Sequence, residues 1–276
     1  MALRNEVRSG KEEENVMDLG LKDKVALITG GSKGIGLETA VILATEGAKV
    51  AIVARNKEAL QAAARRIKET TGAEALVISA DISVEAEVRS VVEQTAQHFG
   101  GLDILVNNAG TSAARPFEEV GTESWAADLD LKLLGAVHSS KEAISHMRQR
   151  GGGSILNVTA TVGKTPSASS LPTSVSRAAG LALTKAMSKD LAKDNIRVNA
   201  VCIGLIRSDQ IERKWQASAP EQSWEEFASD PIHGIPLQRI GQTEEAAKVI
   251  AFLVSGAASY VTGTAVNIDG GKSPVL

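Results

Sequence analysis

The reading of the fold turns on Leu27–Ala40, "LITGGSKGIGLETA". An apolar run ends in a glycine-rich turn, and helix-forming residues follow at once. Gly30, Gly34 and Gly36 strip the turn of side chains, so backbone N–H groups and the positive end of the next helix can approach a pyrophosphate. The same spacing occurs in turns that bind nothing. Its weight comes from the strand before it and the helix after it.

Outward from this turn, β-branched runs alternate with longer segments whose apolar residues recur every three or four positions, as in "VRSVVEQTAQHF". Seven strands are expected, at "KVALIT", "KVAIVA", "ALVISA", "DILVNN", "SILNVT", "IRVNAV" and "TAVNID". Helices are expected over 35–46, 58–70, 84–99, 125–149, 175–192 and 244–254. Strands alternating with crossover helices specify an α/β class, a doubly wound parallel sheet covered on both faces. One stretch breaks the rhythm. Residues 207–241 are polar, hold Pro220, Pro231 and Pro236, and carry Trp215 and Trp224. Placed just past a strand's carboxyl end, this insertion reads as a lid over a ligand or as a plain surface excursion.

The chain has 276 residues, 43% of them hydrophobic, enough for one well-buried domain over 21–276. Thirty basic and 33 acidic residues are spread along it, for a net charge of -3. No basic face suggests nucleic acid or an anionic membrane, so a small-molecule substrate is the expected partner. No run approaches the roughly 18 apolar residues of a membrane helix. Residues 1–20 mix charges of both signs, lack a signal-peptide core, and read as a mobile tail. The single cysteine, Cys202, sits in the apolar run "VNAVCIG" and reads as core packing, which fits a reducing, cytoplasmic setting. No metal site is expected.

With "NNAG" at Asn107–Gly110, "ADIS" at Ala80–Ser83, "IRVNAVCIGLIRS" at Ile196–Ser208 and "YVTGTAVNIDGG" near the C-terminus, the chain resembles the short-chain dehydrogenase/reductase family from about Leu21 onward. That family has a single-domain Rossmann fold. The resemblance implies cofactor contacts from Gly30, Ser32, Lys33, Gly34, Ile35 and Gly36 in the turn, and from Arg55, Asp81 and Ile82 beside the adenosine. It also implies contacts from Asn108, Ala109 and Gly110, from Arg177, and from Gly204, Ile206 and Ser208 on the nicotinamide side. It further implies a homodimer or homotetramer built through the 125–149 and 175–192 helices.

Coenzyme choice follows from "IVARN" at the end of the second strand. Ala54 offers no carboxylate to a ribose, whereas Arg55, with Lys33 in the turn, offers cations. These favour the extra phosphate of NADP, so NADPH is expected ahead of NADH; two solvated surface cations are the plain alternative.

In the family a tyrosine moves the proton, a lysine four residues on lowers its pKa, a serine polarises the substrate oxygen and an asparagine on the long helix anchors a water. Aligning "SILNVTATVG", "SLPTSVSRAAG" and "LDLKLLG" with those segments puts Ala160 at the serine, Thr173 at the tyrosine, Arg177 at the lysine and Lys132 at the asparagine. The only tyrosine, Tyr260, lies elsewhere. Lys132 reads either as a tuned amine facing the cleft or as a solvated lysine paired with Asp128 or Asp130. Thr161, one step from Ala160, is a candidate replacement donor. Lys132, Thr161, Thr173 and Arg177 are therefore the candidate catalytic residues of an atypical proton relay. The alternatives are an inactive NADP-binding sensor or scaffold subunit, or a non-redox lyase.

Overall fold

The computed structural model describes residues 17–276. Seven strands form one parallel sheet: β1 (Val25–Thr29), β2 (Lys49–Ala54), β3 (Leu76–Ser79), β4 (Ile104–Asn107), β5 (Gly153–Ala160), β6 (Ile196–Ile203) and β7 (Ala265–Ile268). Their order is β3-β2-β1-β4-β5-β6-β7. All seven coincide with the expected runs to within one or two residues. The reason is visible in β1, where all five residues are buried. Ala26 and Ile28 face one core, Val25 and Leu27 the other. A strand covered on both sides must be a continuous apolar run.

On one face lie α1 (Gly34–Thr45), α2 (Lys57–Thr71) and α9 (Thr243–Val254); on the other lie α3 (Glu85–Phe99), α5 (Gly135–Gln149) and α6 (Thr173–Asp190). Local signals end these helices. Asn56 caps α2 by accepting from the Ala59 N–H at 2.8 Å, and Gly72 closes it in the left-handed conformation. The chain runs from β1 outward to β3 and then returns to β4 on β1's other side. The C-terminal ends of β1 and β4 therefore form the switch point, where ligands of open α/β sheets bind.

Two expectations are corrected. The 125–149 helix starts earlier, as α4 (Thr122–Leu129), and passes into α5 through a π-helical segment, Asp130–Leu134. The wider turn re-aims the side chains it carries, among them Lys132. The 207–241 excursion folds into α7 (Asp209–Ser218) and α8 (Trp224–Ala228). Its apolar residues find one another, since Trp224, Phe227, Ile235 and Ile240 are buried in a small core of their own. The expected boundary of the tail at residue 20 is corrected: Leu19 packs on the first core and accepts the Gly256 N–H at 2.8 Å. Residues 1–16 lie outside the described residues.

Candidate active site

A cleft of about 780 Å³ opens across the carboxyl ends of the strands. Its first bank is the glycine turn, where Gly30, Ser32, Lys33, Gly34 and Ile35 line the wall. Helix α1 begins with no side-chain cap, which leaves its first N–H groups available to a ligand. Gly36 does not line the cleft. It lies beneath the turn, where a Cβ would collide with the Gly30 carbonyl oxygen and the Asn108 amide, so it serves close packing instead. Asn108 ties this bank to β4 through its Nδ2, which donates to the Thr29 and Gly30 carbonyls at 3.0 and 3.1 Å. Asn108, Ala109 and Gly110 all line the cleft, as do Gly204, Ile206 and Ser208 on the far side. Ser208 also caps α7.

Arg55, Asp81 and Ile82 form the outer end. Arg55 reaches Asp81 at 3.7 Å. The Ser83 hydroxyl and N–H, with a smaller contribution from Arg55, hold the Asp81 carboxyl below its usual range. Lys33 donates across the cleft to Asp209 at 2.9 Å. On the inner side Gln210 and Ser112 exchange two hydrogen bonds of 3.3 Å.

The inner end holds a buried polar cluster. Lys132 projects from the π-helical segment, its side chain 1% exposed, against Asp128, 2% exposed and one turn earlier. The solvated reading of Lys132 is corrected. Of the two candidate partners Asp128 is the one engaged, because α6 closes over the pair. Ser176 donates to the second oxygen of Asp128 at 2.6 Å, and Lys132 Nζ donates to Thr173 Oγ1 at 3.0 Å. Loss of water pulls the Lys132 ammonium below its usual value; its bond to Asp128 opposes this and the charge of Arg177 adds to it. Lys132 does not itself line the cleft, whereas Thr173 does. Thr173 Oγ1 also accepts the Ala113 N–H at 2.9 Å. With both acceptor positions used, the hydroxyl's own hydrogen is left to donate.

Arg177 lines the same wall. Its Nη1 donates to the Val158 carbonyl at 2.6 Å, while its Nε is buried with no partner among the described residues. Burial pulls the guanidinium down to about 10, still charged at neutral pH. Gly110 makes room for the cluster: a Cβ there would press on Arg177 Nη2 and Lys132 Cγ, both at 3.1 Å. Ala160 and Thr161 line the cleft as well, but the Thr161 hydroxyl is hydrogen-bonded to none of Lys132, Thr173 or Arg177. Cys202 is fully buried, and burial pushes its thiol up, as suits a packing residue.

The excursion covers one side with Asp209, Gln210, Ile211 and Arg213. Its tryptophans face inward instead. Trp215 meets Trp224 edge-on at 5.6 Å, and Arg207 stacks over Trp224 at 4.4 Å. Both ends of the excursion meet in a parallel bridge between Ile206 and Gly241.

Sequence reasoning named Lys132, Thr173 and Arg177, and these come together. It left open the partner of Lys132, and it missed Ser176 and Asp209. The Asp128–Lys132 spacing of one helical turn was a usable signal. Nothing local marks Asp209 as a partner of Lys33. Among the described residues, no helix is long and apolar enough to cross a membrane, and no group of His, Cys, Asp or Glu is arranged to hold a metal ion.

The family model described as enoyl-(acyl carrier protein) reductase matches residues 30–273. An uncharacterized oxidoreductase of Thermotoga maritima is 38% identical over 258 residues, 93% of this chain and 100% of the relative. The structure of L-sorbose reductase from Gluconobacter frateurii, complexed with NADPH and L-sorbose, superposes with a TM-score of 0.90 at 35% identity, covering 94% of this chain and 100% of that one. An NADPH-bound short-chain oxidoreductase from Pseudomonas aeruginosa PAO1, described as containing an atypical catalytic center, has a TM-score of 0.87 at 33% identity, covering 93% and 99%.

Proposed function

The chain belongs to the short-chain dehydrogenase/reductase family of oxidoreductases, and on that footing we propose that it interconverts a small-molecule carbonyl compound and its alcohol with NADP(H), NADPH ahead of NADH, through an atypical proton relay. The cleft fits the cofactor. Its volume lies within the roughly 300–1,000 Å³ of small-molecule and cofactor sites. The uncapped start of α1, with Gly30, Ser32, Gly34 and Ile35, would hold the pyrophosphate. Lys33 and Arg55 would meet the extra phosphate, Asp81 and Ile82 the adenine, and Asn108 to Gly110 with Gly204, Ile206 and Ser208 the nicotinamide half. The Arg177 guanidinium on the cleft wall would serve a ribose hydroxyl. Two of the structural relatives hold NADPH. When bound, this coenzyme supplies the hydride.

The chain's own residues handle the proton. Thr173 donates its hydrogen to the substrate oxygen as negative charge develops there, and it takes a proton from Lys132 in the same motion. A threonine hydroxyl is too weak an acid to act alone, so the ammonium behind it is required. Burial lowers the pKa of Lys132, which makes it the better acid. Asp128, held by Ser176, keeps Nζ aimed at Thr173. The Arg177 charge stabilises the developing alkoxide. Ser112 and Gln210 add polar groups to the cleft that Thr173 lines, and the 207–241 excursion serves as the substrate lid.

The observation that carries this reading is the Thr173 hydroxyl, facing the cleft with both acceptor positions filled, one of them by a buried lysine. The test follows NADPH consumption across a panel of aldehydes, diketones, quinones and ketoses. Turnover of at least one class is expected. NADPH uptake without turnover on any of them makes the chain a coenzyme-binding sensor or scaffold instead. The proposal includes a homodimer or homotetramer through the 125–149 and 175–192 helices, where Leu134 and Val175 are exposed apolar side chains. Sedimentation as a monomer rejects that part.

A further inference from the structure

Lys33, the cation inside the glycine turn, forms its ion pair with Asp209, the first residue of α7, 176 positions later in the chain. Both side chains line the cleft, and both are largely open to water, 63% and 50% exposed. The carboxylate belongs to the excursion and the ammonium to the glycine turn, so among the described residues this pair is the direct charge contact between the two banks.

We infer that Asp209 is a coenzyme-specificity residue, acting by competing with the 2′-phosphate of NADP(H) for the Lys33 ammonium. The inference rests on the proposal that the cleft takes NADP(H). A phosphate monoester carries close to two negative charges at neutral pH. Brought to Lys33, it meets the Asp209 carboxylate on the same ammonium and is repelled by it. NADH has only hydroxyls at that position and is indifferent. Asp209 thereby weakens NADPH selectively and narrows the preference that Lys33 and Arg55 create. Like charges a few ångströms apart in a solvent-exposed site, screened by salt, alter affinity by about three- to tenfold.

The experiment is direct titration of the full chain with NADPH and with NADH, followed by nicotinamide fluorescence, at low salt and at about 0.5 M salt. Wild type is compared with Asp209→Asn, Lys33→Ala and the double variant. Asp209→Asn is expected to tighten NADPH about three- to tenfold and to leave NADH within about twofold. The gain should vanish in the Lys33→Ala background and shrink at high salt. An unchanged or weaker NADPH affinity in Asp209→Asn overturns the inference. So does an equal shift for both coenzymes, which would make Asp209 a general clamp of the lid. Wild-type protein that takes up neither coenzyme overturns the underlying reading of the cleft, whatever Asp209 does.

Discussion

Lys132 and Asp128 lie one turn apart with side chains 1% and 2% exposed, whereas Lys33 and Asp209 face each other across the same cleft at 63% and 50%. Both are lysine–aspartate pairs, and their surroundings give them opposite uses. In the inner pair each charge has lost its water and depends on the other, with Ser176 and Thr173 completing the set. Removing one partner strands the other in a medium that cannot solvate it. In the outer pair, water and salt stand ready to replace either partner, so the contact can be exchanged for a ligand's charge at little cost. The buried pair is suited to holding and passing a proton, and the exposed pair to sorting ligands by charge.

The comparison breaks most readily at its buried end. Thr173→Val keeps the shape and removes the hydroxyl, and carbonyl reduction is expected to fall by roughly 10²- to 10⁴-fold with NADPH affinity nearly unchanged. Activity within about tenfold of wild type would take Thr173 out of the relay. Asp128→Asn leaves a buried ammonium without its counter-charge and should cost about 3–5 kcal/mol in denaturant unfolding. Replacing both partners, as Asp128→Leu with Lys132→Met, should recover most of that stability while activity stays lost. A double variant as unstable as the single one would mean that the pair is not the source of the cost.

The pH profile sharpens the contrast further. Because Lys132 is held below the free-lysine value of about 10.4, the ammonium gives up its proton earlier as pH rises. In the proposed relay reduction needs Lys132 charged and should decline through an alkaline limb below that value, while alcohol oxidation needs it neutral and should rise over the same range. Lys132→Arg should remove the limb. A limb that persists in this variant assigns it to another group. The smallest effect is expected at the outer pair, where Asp209→Asn should change unfolding free energy by less than about 1 kcal/mol. A larger loss would show the exposed contact to be structural.

The two regions also differ in how far they could be read in advance. The glycine turn, the seven strands and the cleft wall they build are local patterns: apolar runs covered on both faces, a turn without side chains, an asparagine cap. The register around Thr173 and Arg177 was legible from the family resemblance. What was not legible depends on segments meeting in space. A lysine on a helix is ordinarily solvated, and Lys132 is buried where Thr173 and Ser176 arrive from α6 and the Gly110 backbone closes on its stem. The π-helical slip at Asp130–Leu134 leaves no mark in composition. The polar 207–241 stretch hid two helices because its aromatic residues are few and separated, although Trp215, Trp224 and Phe227 pack together once folded.

The bridge between Ile206 and Gly241 means that the polypeptide leaves the sheet and comes back to it at adjoining positions. What hangs between them is a cassette. Its interior is supplied by its own apolar residues, Trp224, Phe227, Ile235 and Ile240 among them, and doubling its length would add only about 0.6 kcal/mol to the entropy of closure. An exchange of this segment between relatives would therefore leave the sheet as it is while replacing Ser208 and Asp209 on the cleft wall, so the partner of Lys33 is free to change at a pace the scaffold does not share.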